Sequence, residues 1–257
     1  MNALEQFTAF KTLLFKEVRR FMRIWVQTVL PAAITTGLYF VIFGKMIGSQ
    51  LANISGYSYM EYIVPGIILM AVINNAYSNV VSSFYSAKFQ HHVEEMLVSP
   101  MPNYLILLGF VSGGVLRGLI VGFAVMLVSL IFTEPVSFNI AITLAVVVLT
   151  AILFSLAGFL NALFANSFDD ISIIPTFVLT PLTYLGGIFY SIKMLPEFWQ
   201  HVSRLNPIMY MINAMRYGML GVSDIDVTYA LFIIVLFVCS LFAFSLYLLN
   251  KGVGIRS

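Results

Sequence analysis

An all-α membrane protein with six transmembrane helices is the fold this sequence predicts, and three observations predict it. Charged residues make up 9% of the 257 and hydrophobic residues 60%, whereas soluble domains carry about 25% charge. Too few Lys, Arg, Asp and Glu are present to cover a water-facing surface of this size. The apolar residues fall in continuous runs of about 20, the length a helix needs to cross a hydrocarbon core of about 30 Å. Those runs lack the alternation of a membrane β-barrel, so helices make the crossings.

The first element precedes the spans. In residues 1–25, Leu4, Phe7, Phe10, Leu14, Val18, Phe21 and Trp25 recur at three- and four-residue steps, with Lys16, Arg19, Arg20 and Arg23 largely off that stripe. This pattern predicts an amphipathic helix in the membrane interface, basic face toward anionic headgroups; an ordinary positively charged flank is the plainer alternative. No short apolar core with a small-residue cleavage site is present, so the segment reads as part of the mature protein.

Residues 26–257 form the predicted six-span domain, with spans near 26–46, 62–87, 104–132, 139–163, 171–192 and 227–249. With the amino terminus inside, inner segments carry Lys11, Lys16, Arg19, Arg20, Arg23, Lys88, Lys251 and Arg256, and outer ones Lys45, Lys193, Arg204 and Arg216. That excess places both termini in the cytoplasm. Residues 88–102 predict a short cytoplasmic helix stopped by Pro100 and Pro102. Residues 193–221 are too apolar for a solvated loop. Within them Asn206 followed by Pro207 is a helix cap and a first-turn proline, and the helix they open, 208–220, is too short to cross. A re-entrant or interfacial helix pair on the outer side fits, with Trp199, Tyr210 and Tyr217 at headgroup level.

Several function classes lose ground at once. A net charge of +2, with no basic tract beyond the first quarter, gives no basis for nucleic-acid binding. One cysteine, Cys239, supplies neither a disulfide framework nor a cysteine metal site. No Asp or Glu lies well inside a span, which weighs against a proton- or sodium-coupled carrier. The phosphate-loop pattern G-x-x-x-x-G-K-[ST] is absent, since Gly44 and Lys45 are followed by Met46. His91 and Glu95, with His92 and Glu94 beside them, form a weak metal pattern better read as a solvated or partner-binding face. A lipid-modifying enzyme would need an acid–base cluster, and only His91, His92 and Glu95 offer one.

Polar residues inside the spans are the candidates for a pathway. Asn75, Asn79, Ser82 and Ser86 share one face of the second span; Ser172, Thr176, Thr180 and Thr183 form a stripe in the fifth, broken by Pro175 and Pro181. Such faces serve either a solute route or interhelical hydrogen bonds. Arg117, deep in the third span, must meet protein or water: an anionic solute group, or loop carbonyls, Asp169 or Asp170. Gly114, Gly118 and Gly122, with Gly109 and Gly113 one turn earlier, make a smooth ridge for close helix packing.

Two segments carry a family resemblance that, with the topology, covers nearly the whole chain. Glu94-Glu95-Met96-Leu97-Val98-Ser99-Pro100, and Gly186-Gly187-Ile188-Phe189 continuing through Leu195-Pro196, Trp199 and Leu205-Asn206-Pro207 to Arg216-Tyr217, resemble the type-2 ABC-transporter permeases, the membrane subunits of bacterial exporters. Met101 stands where a leucine is commoner. The resemblance implies an inner-membrane permease that pairs with a second copy of itself and with two cytoplasmic ATPase subunits. ATP and Mg would sit on those partners, leaving this chain no cofactor and no catalysis. It further implies that Glu94, Glu95, Met96, Leu97, Ser99 and Pro100 belong to a coupling helix, residues 1–25 to a connecting helix, and Trp199, Asn206, Pro207 and Arg216 to a re-entrant cap. The resemblance also implies that the second and fifth spans line the path, which agrees with the polar stripes, so the candidate pathway residues are Asn75, Asn79, Ser82, Thr176, Thr180 and Thr183, with Arg117 added from its own position in the third span. An ion-coupled carrier or channel acting without an ATPase is the alternative.

Overall fold

A computed structural model describes residues 1–50, 53–134 and 137–254. Arg256 and the side chain of Lys45, both used in the charge count, lie outside the described residues. Helix α1 (Ala3–Arg23) ends at Ile24, whose φ of −112° and ψ of 27° turn the chain into α2 (Trp25–Tyr39). Helix α2 widens into a π-helical stretch, Phe40–Ile47. Then follow α3 (Tyr59–Phe89), α4 (His92–Val98), α5 (Asn103–Ser129) and α6 (Ile140–Phe164). The remainder is α7 (Asp170–Ile174), a π turn (Pro175–Leu179), α8 (Thr180–Leu185), α9 (Glu197–Arg204), α10 (Pro207–Leu220) and α11 (Val227–Lys251). Among the described residues the one β contact is an isolated bridge between Ile54 and Tyr57.

Local chemistry sets the helix ends. Ser58 Oγ accepts from Glu61 N at 3.3 Å while Glu61 Oε2 accepts from Ser58 N at 2.8 Å, a reciprocal cap on α3. Asn139 and Asp226 cap α6 and α11 in the same sense. Asn206 caps α10 with Pro207 at its first position, and Gly221 at φ 74° ends it, close to the bounds read from the sequence.

Among the described residues five helices are long and apolar enough to cross a membrane: Trp25–Gly44, Tyr59–Phe89, Asn103–Ser129, Ile140–Phe164 and Val227–Lys251. The crossing expected over 171–192 is different: helix persists only over Asp170–Leu185. Pro181 has no N–H for the carbonyl four residues back, and the chain widens so that Thr180 N bonds Pro175 O. Gly187, at φ 84°, then turns the chain away. Those 16 residues reach about 24 Å at 1.5 Å each, short of the hydrocarbon thickness.

Helix α3 is the axis of the molecule, packed between α5 and α6 along most of its length with α10 across one end. Glycine permits the approach. A Cβ on Gly114 would meet Ala76 O at 2.9 Å, and one on Gly158 would meet Tyr77 O at 2.6 Å, both backbone atoms that cannot swing aside. The ridge read at Gly114, Gly118 and Gly122 therefore serves packing against α3, whereas Gly109 and Gly113 receive Leu13 and Glu17 of α1.

Candidate functional site

Three polar regions stand out: the corner around α4, a charge cluster between α1 and α3, and a cleft between α2 and α3. Helix α4 bridges the ends of α3 and α5. His91 enters it at φ 61°, and its Nδ1 lies 2.9 Å from Glu94 Oε1, so the near pair is His91 with Glu94 and not Glu95. Ser99 leaves it in extended backbone, its hydroxyl donating to Met96 O at 2.6 Å. Val93 is fully buried beneath the helix; Met96 and Leu97 are half-buried against the core. Glu94, Glu95, Ser99 and Pro100 are exposed, and Val98 is 88% exposed, an apolar side chain with no neighbour to cover it. Beneath, Lys88 Nζ donates to Leu163 O and Ala165 O at 2.8 and 2.7 Å, satisfying the carbonyl end of α6. A groove of about 700 Å³ runs between α4 and α1, lined by Leu4, Thr8, Thr12, Glu95, Met96 and Met101.

The side of α1 that packs on α5 lies largely off its apolar stripe. Leu4 is 77% exposed and Phe7 and Trp25 are exposed as well, while Leu13, Glu17 and Phe21 are buried against α5. Glu17 is the unforeseen one: its carboxylate has no exposure at all. Oε1 accepts from Ser83 Oγ at 2.7 Å and Oε2 from Arg20 Nη2 at 3.4 Å. Arg20 Nη2 also donates to Asn79 O and Oδ1 at 2.9 and 2.8 Å. Gly113 makes the room, since a Cβ there would lie 2.7 Å from Glu17 Cβ. The available signal was spacing: Leu13, Glu17 and Phe21 are four apart, opposite the glycines.

Asn79 is therefore buried and committed to α1, with no open surface of its own. Ser82 Oγ donates to Ser78 O at 2.7 Å, and Thr183, also buried, to Leu179 O at 2.6 Å. Thr176 and Thr180 are exposed on the Asp170–Leu185 segment, Thr180 Oγ1 donating to Pro175 O at 2.9 Å. The two sequence stripes thus do not merge within one chain. What remains open is a cleft of about 280 Å³ between α2 and α3, with Gln27, Thr35, Thr36, Asn74, Asn75 and Arg117 in its walls. Asn75 Nδ2 donates to Ala71 O at 3.0 Å, which turns Oδ1 toward Arg117 Nη2, 3.4 Å away. Asp169 and Asp170, the partners the sequence offered, are elsewhere: Asp170 Oδ2 accepts from the Asn166 and Ser167 N–H groups at 2.9 and 3.1 Å. Among the described residues no carboxylate pairs with Arg117.

At the other end, Arg216 is buried, not a loop cation. Its Nη2 donates to Gly187 O at 2.7 Å and its guanidinium lies 3.9 Å from the centroid of Tyr62. Asn206 Nδ2 donates to Leu182 O at 2.6 Å, tying α10 to α8. Asp224 accepts from Ser191 Oγ at 2.8 Å and Ile192 N at 3.1 Å, with Lys193 Nζ at 3.8 Å. Trp199 and Phe198 remain exposed on α9, ring centroids 5.4 Å apart.

Comparison with known proteins places this architecture. Residues 8–220 match the family model described as ABC-2 type transporter. The chain is 53% identical over 249 residues, 97% of each chain, to the inner membrane transport permease YadH of Escherichia coli strain K12. It is 25% identical over 187 residues to nodulation protein J of Rhizobium meliloti strain 1021, covering 72% of this chain and 71% of the relative. Nodulation protein J of Neorhizobium galegae is 23% identical over 239 residues, 91% of each.

Proposed function

The chain belongs to the ABC-2 type transporter family, and from that premise we propose that it is the permease subunit of an ATP-driven exporter. In this reading it sits in a bacterial inner membrane, α4 and both termini in the cytoplasm, paired with a second copy and with two ATPase subunits that bind ATP and Mg. The Asp170–Leu185 segment with its following turn makes a sixth, short crossing, and α9 with α10 forms the outer re-entrant cap.

The shape of α4 carries the proposal. A helix of seven residues is held at both ends by its own side chains and from below by Val93, while Glu94 and Val98 are exposed and Glu95 is exposed at the rim of the groove toward α1. A block so fixed moves as one piece with whatever grips it, and it is continuous with α3, the axis of the bundle, and with α5. Closure of the ATPases on ATP would push α4, and α3 and α5 would rock between two packings. The exposed Ile173, Phe177 and Val178, with Thr176 and Thr180 among them, offer the second copy a surface beside the solute route.

The rival, a carrier driven by ions, would look to Glu17 as a titratable group. That carboxylate lies on α1, ahead of the first long apolar helix, and is already engaged by Ser83 and Arg20, so it offers no open ligand to a solute ion. Replacing Glu94 and Glu95 together with Ala is the test. We expect a monodisperse chain that retains less ATPase on affinity purification, or hydrolysis uncoupled from transport; an intact complex with full transport would overturn the assignment.

A further inference from the structure

The cleft between α2 and α3 contains a cation, Arg117, that pairs with no carboxylate among the described residues. Of the five N–H donors on Arg117, one makes a long 3.4 Å bond to Asn75, and buried Nε meets no acceptor among the described residues. Glu17 is engaged by Arg20 and Ser83, and Asp170 by backbone N–H groups. An unmatched guanidinium halfway along a membrane helix is costly, so something complementary has to be gained by keeping it.

The surroundings indicate what. Thr35, Thr36, Asn74 and Gln27 line the same space with hydroxyl and amide groups, and about 280 Å³ accommodates a phosphate or carboxylate with its nearest atoms but not an acyl chain. The flank of α2 beside the cleft exposes Leu30, Ile34 and Leu38, an apolar surface on which a chain could rest. A planar guanidinium engages phosphate or carboxylate through two parallel hydrogen bonds, repels cations, and stays unmatched beside a neutral sugar. We propose that this cleft binds the phosphate or carboxylate group of the transported solute, with Arg117 as the recognition residue. The proposal rests on the exporter reading for the word transported.

The purified full-length chain in dodecylmaltoside micelles is titrated with dihexanoyl phosphatidic acid, dihexanoylglycerol and inorganic phosphate, and binding is read by thermophoresis. Phosphatidic acid should bind about tenfold or more tightly than the phosphate-free dihexanoylglycerol, the worth of one charge-assisted hydrogen bond. Arg117→Gln should abolish that preference and Arg117→Lys retain part of it. Competition by inorganic phosphate would mean that the anionic group suffices, and its failure would mean that an amphiphile is required; either supports the site. Thr35→Trp fills the cleft and leaves Arg117 in place, so it should remove binding without altering the melting profile even if Arg117→Gln folds poorly. Equal affinity for the two lipids, or an unchanged preference in Arg117→Gln and Thr35→Trp, overturns the proposal. The assay needs no ATPase, so its failure and that of the Glu94/Glu95 test are separable.

Discussion

Replacing Glu17 tests whether α1 is part of the folded core or only rests on it. The carboxylate is wholly buried, and its 2.7 Å bond from Ser83 is charge-assisted, contributing about 1.5–3 kcal/mol. The Arg20 contact adds less than about 1 kcal/mol, because that partner keeps 31% exposure and the 3.4 Å distance is long. Truncation to Ala also deletes one buried methylene, Cγ, at about 0.8 kcal/mol, and strands the Ser83 hydroxyl. Glu17→Ala should therefore cost about 3 kcal/mol, and Glu17→Gln, which keeps the shape and an acceptor for Ser83, about 1 kcal/mol. Because Ser83 and Glu17 share one bond, the Glu17→Gln/Ser83→Ala double variant should lose less than the two single losses combined. The assay is reversible unfolding in mixed dodecylmaltoside–dodecyl sulfate micelles, followed by circular dichroism. Wild-type stability in Glu17→Ala would refute the argument, since an α1 held only by lipid gains nothing from that carboxylate.

Three more expectations follow, two read by the same unfolding assay and one by limited proteolysis. Gly113→Val forces a branched side chain into the 2.7 Å space beside Glu17 and should cost about 1–3 kcal/mol, whereas Gly37→Ala, with nothing within 4 Å, should be neutral or slightly stabilising. Lys88→Met frees the Leu163 and Ala165 carbonyls and should lower stability by about 1–3 kcal/mol, with faster amide hydrogen exchange at the end of α6. Arg216→Met removes the bond to Gly187 O and the stacking on Tyr62, loosening the turn at Gly187; limited proteolysis should cut first between α8 and α9.

The long crossings were legible because an uninterrupted apolar run has one stable form in lipid: the span read as 139–163 is Ile140–Phe164, and that read as 227–249 is Val227–Lys251. The cap at Asn206 and Pro207 was legible for a local reason, the side-chain bond to Ile208 N. The short fifth helix was harder, since apolarity continued through Gly186 and Gly187 while the backbone turned; its two prolines were the available warning. At the candidate sites, the exposure of Glu94 and Glu95 followed from residue type, but the partition of the Asn75, Asn79, Ser82 face did not. Which of those groups a neighbouring helix claims depends on the packing of α1, and α1 docks through Glu17, a residue that composition assigns to water.

The central claim, that chemical work enters through α4, is tested most directly by photocrosslinking from that helix. A benzophenone amino acid at Val98, exposed on α4, is compared with one at Phe198, exposed on α9 at the opposite end of the reading, in native membranes of the source cell. The account predicts a crosslink from Val98 to a nucleotide-binding subunit, with a yield that changes under ATP and vanadate, and none from Phe198. No such adduct from Val98, in a chain that still moves its cargo, would contradict it.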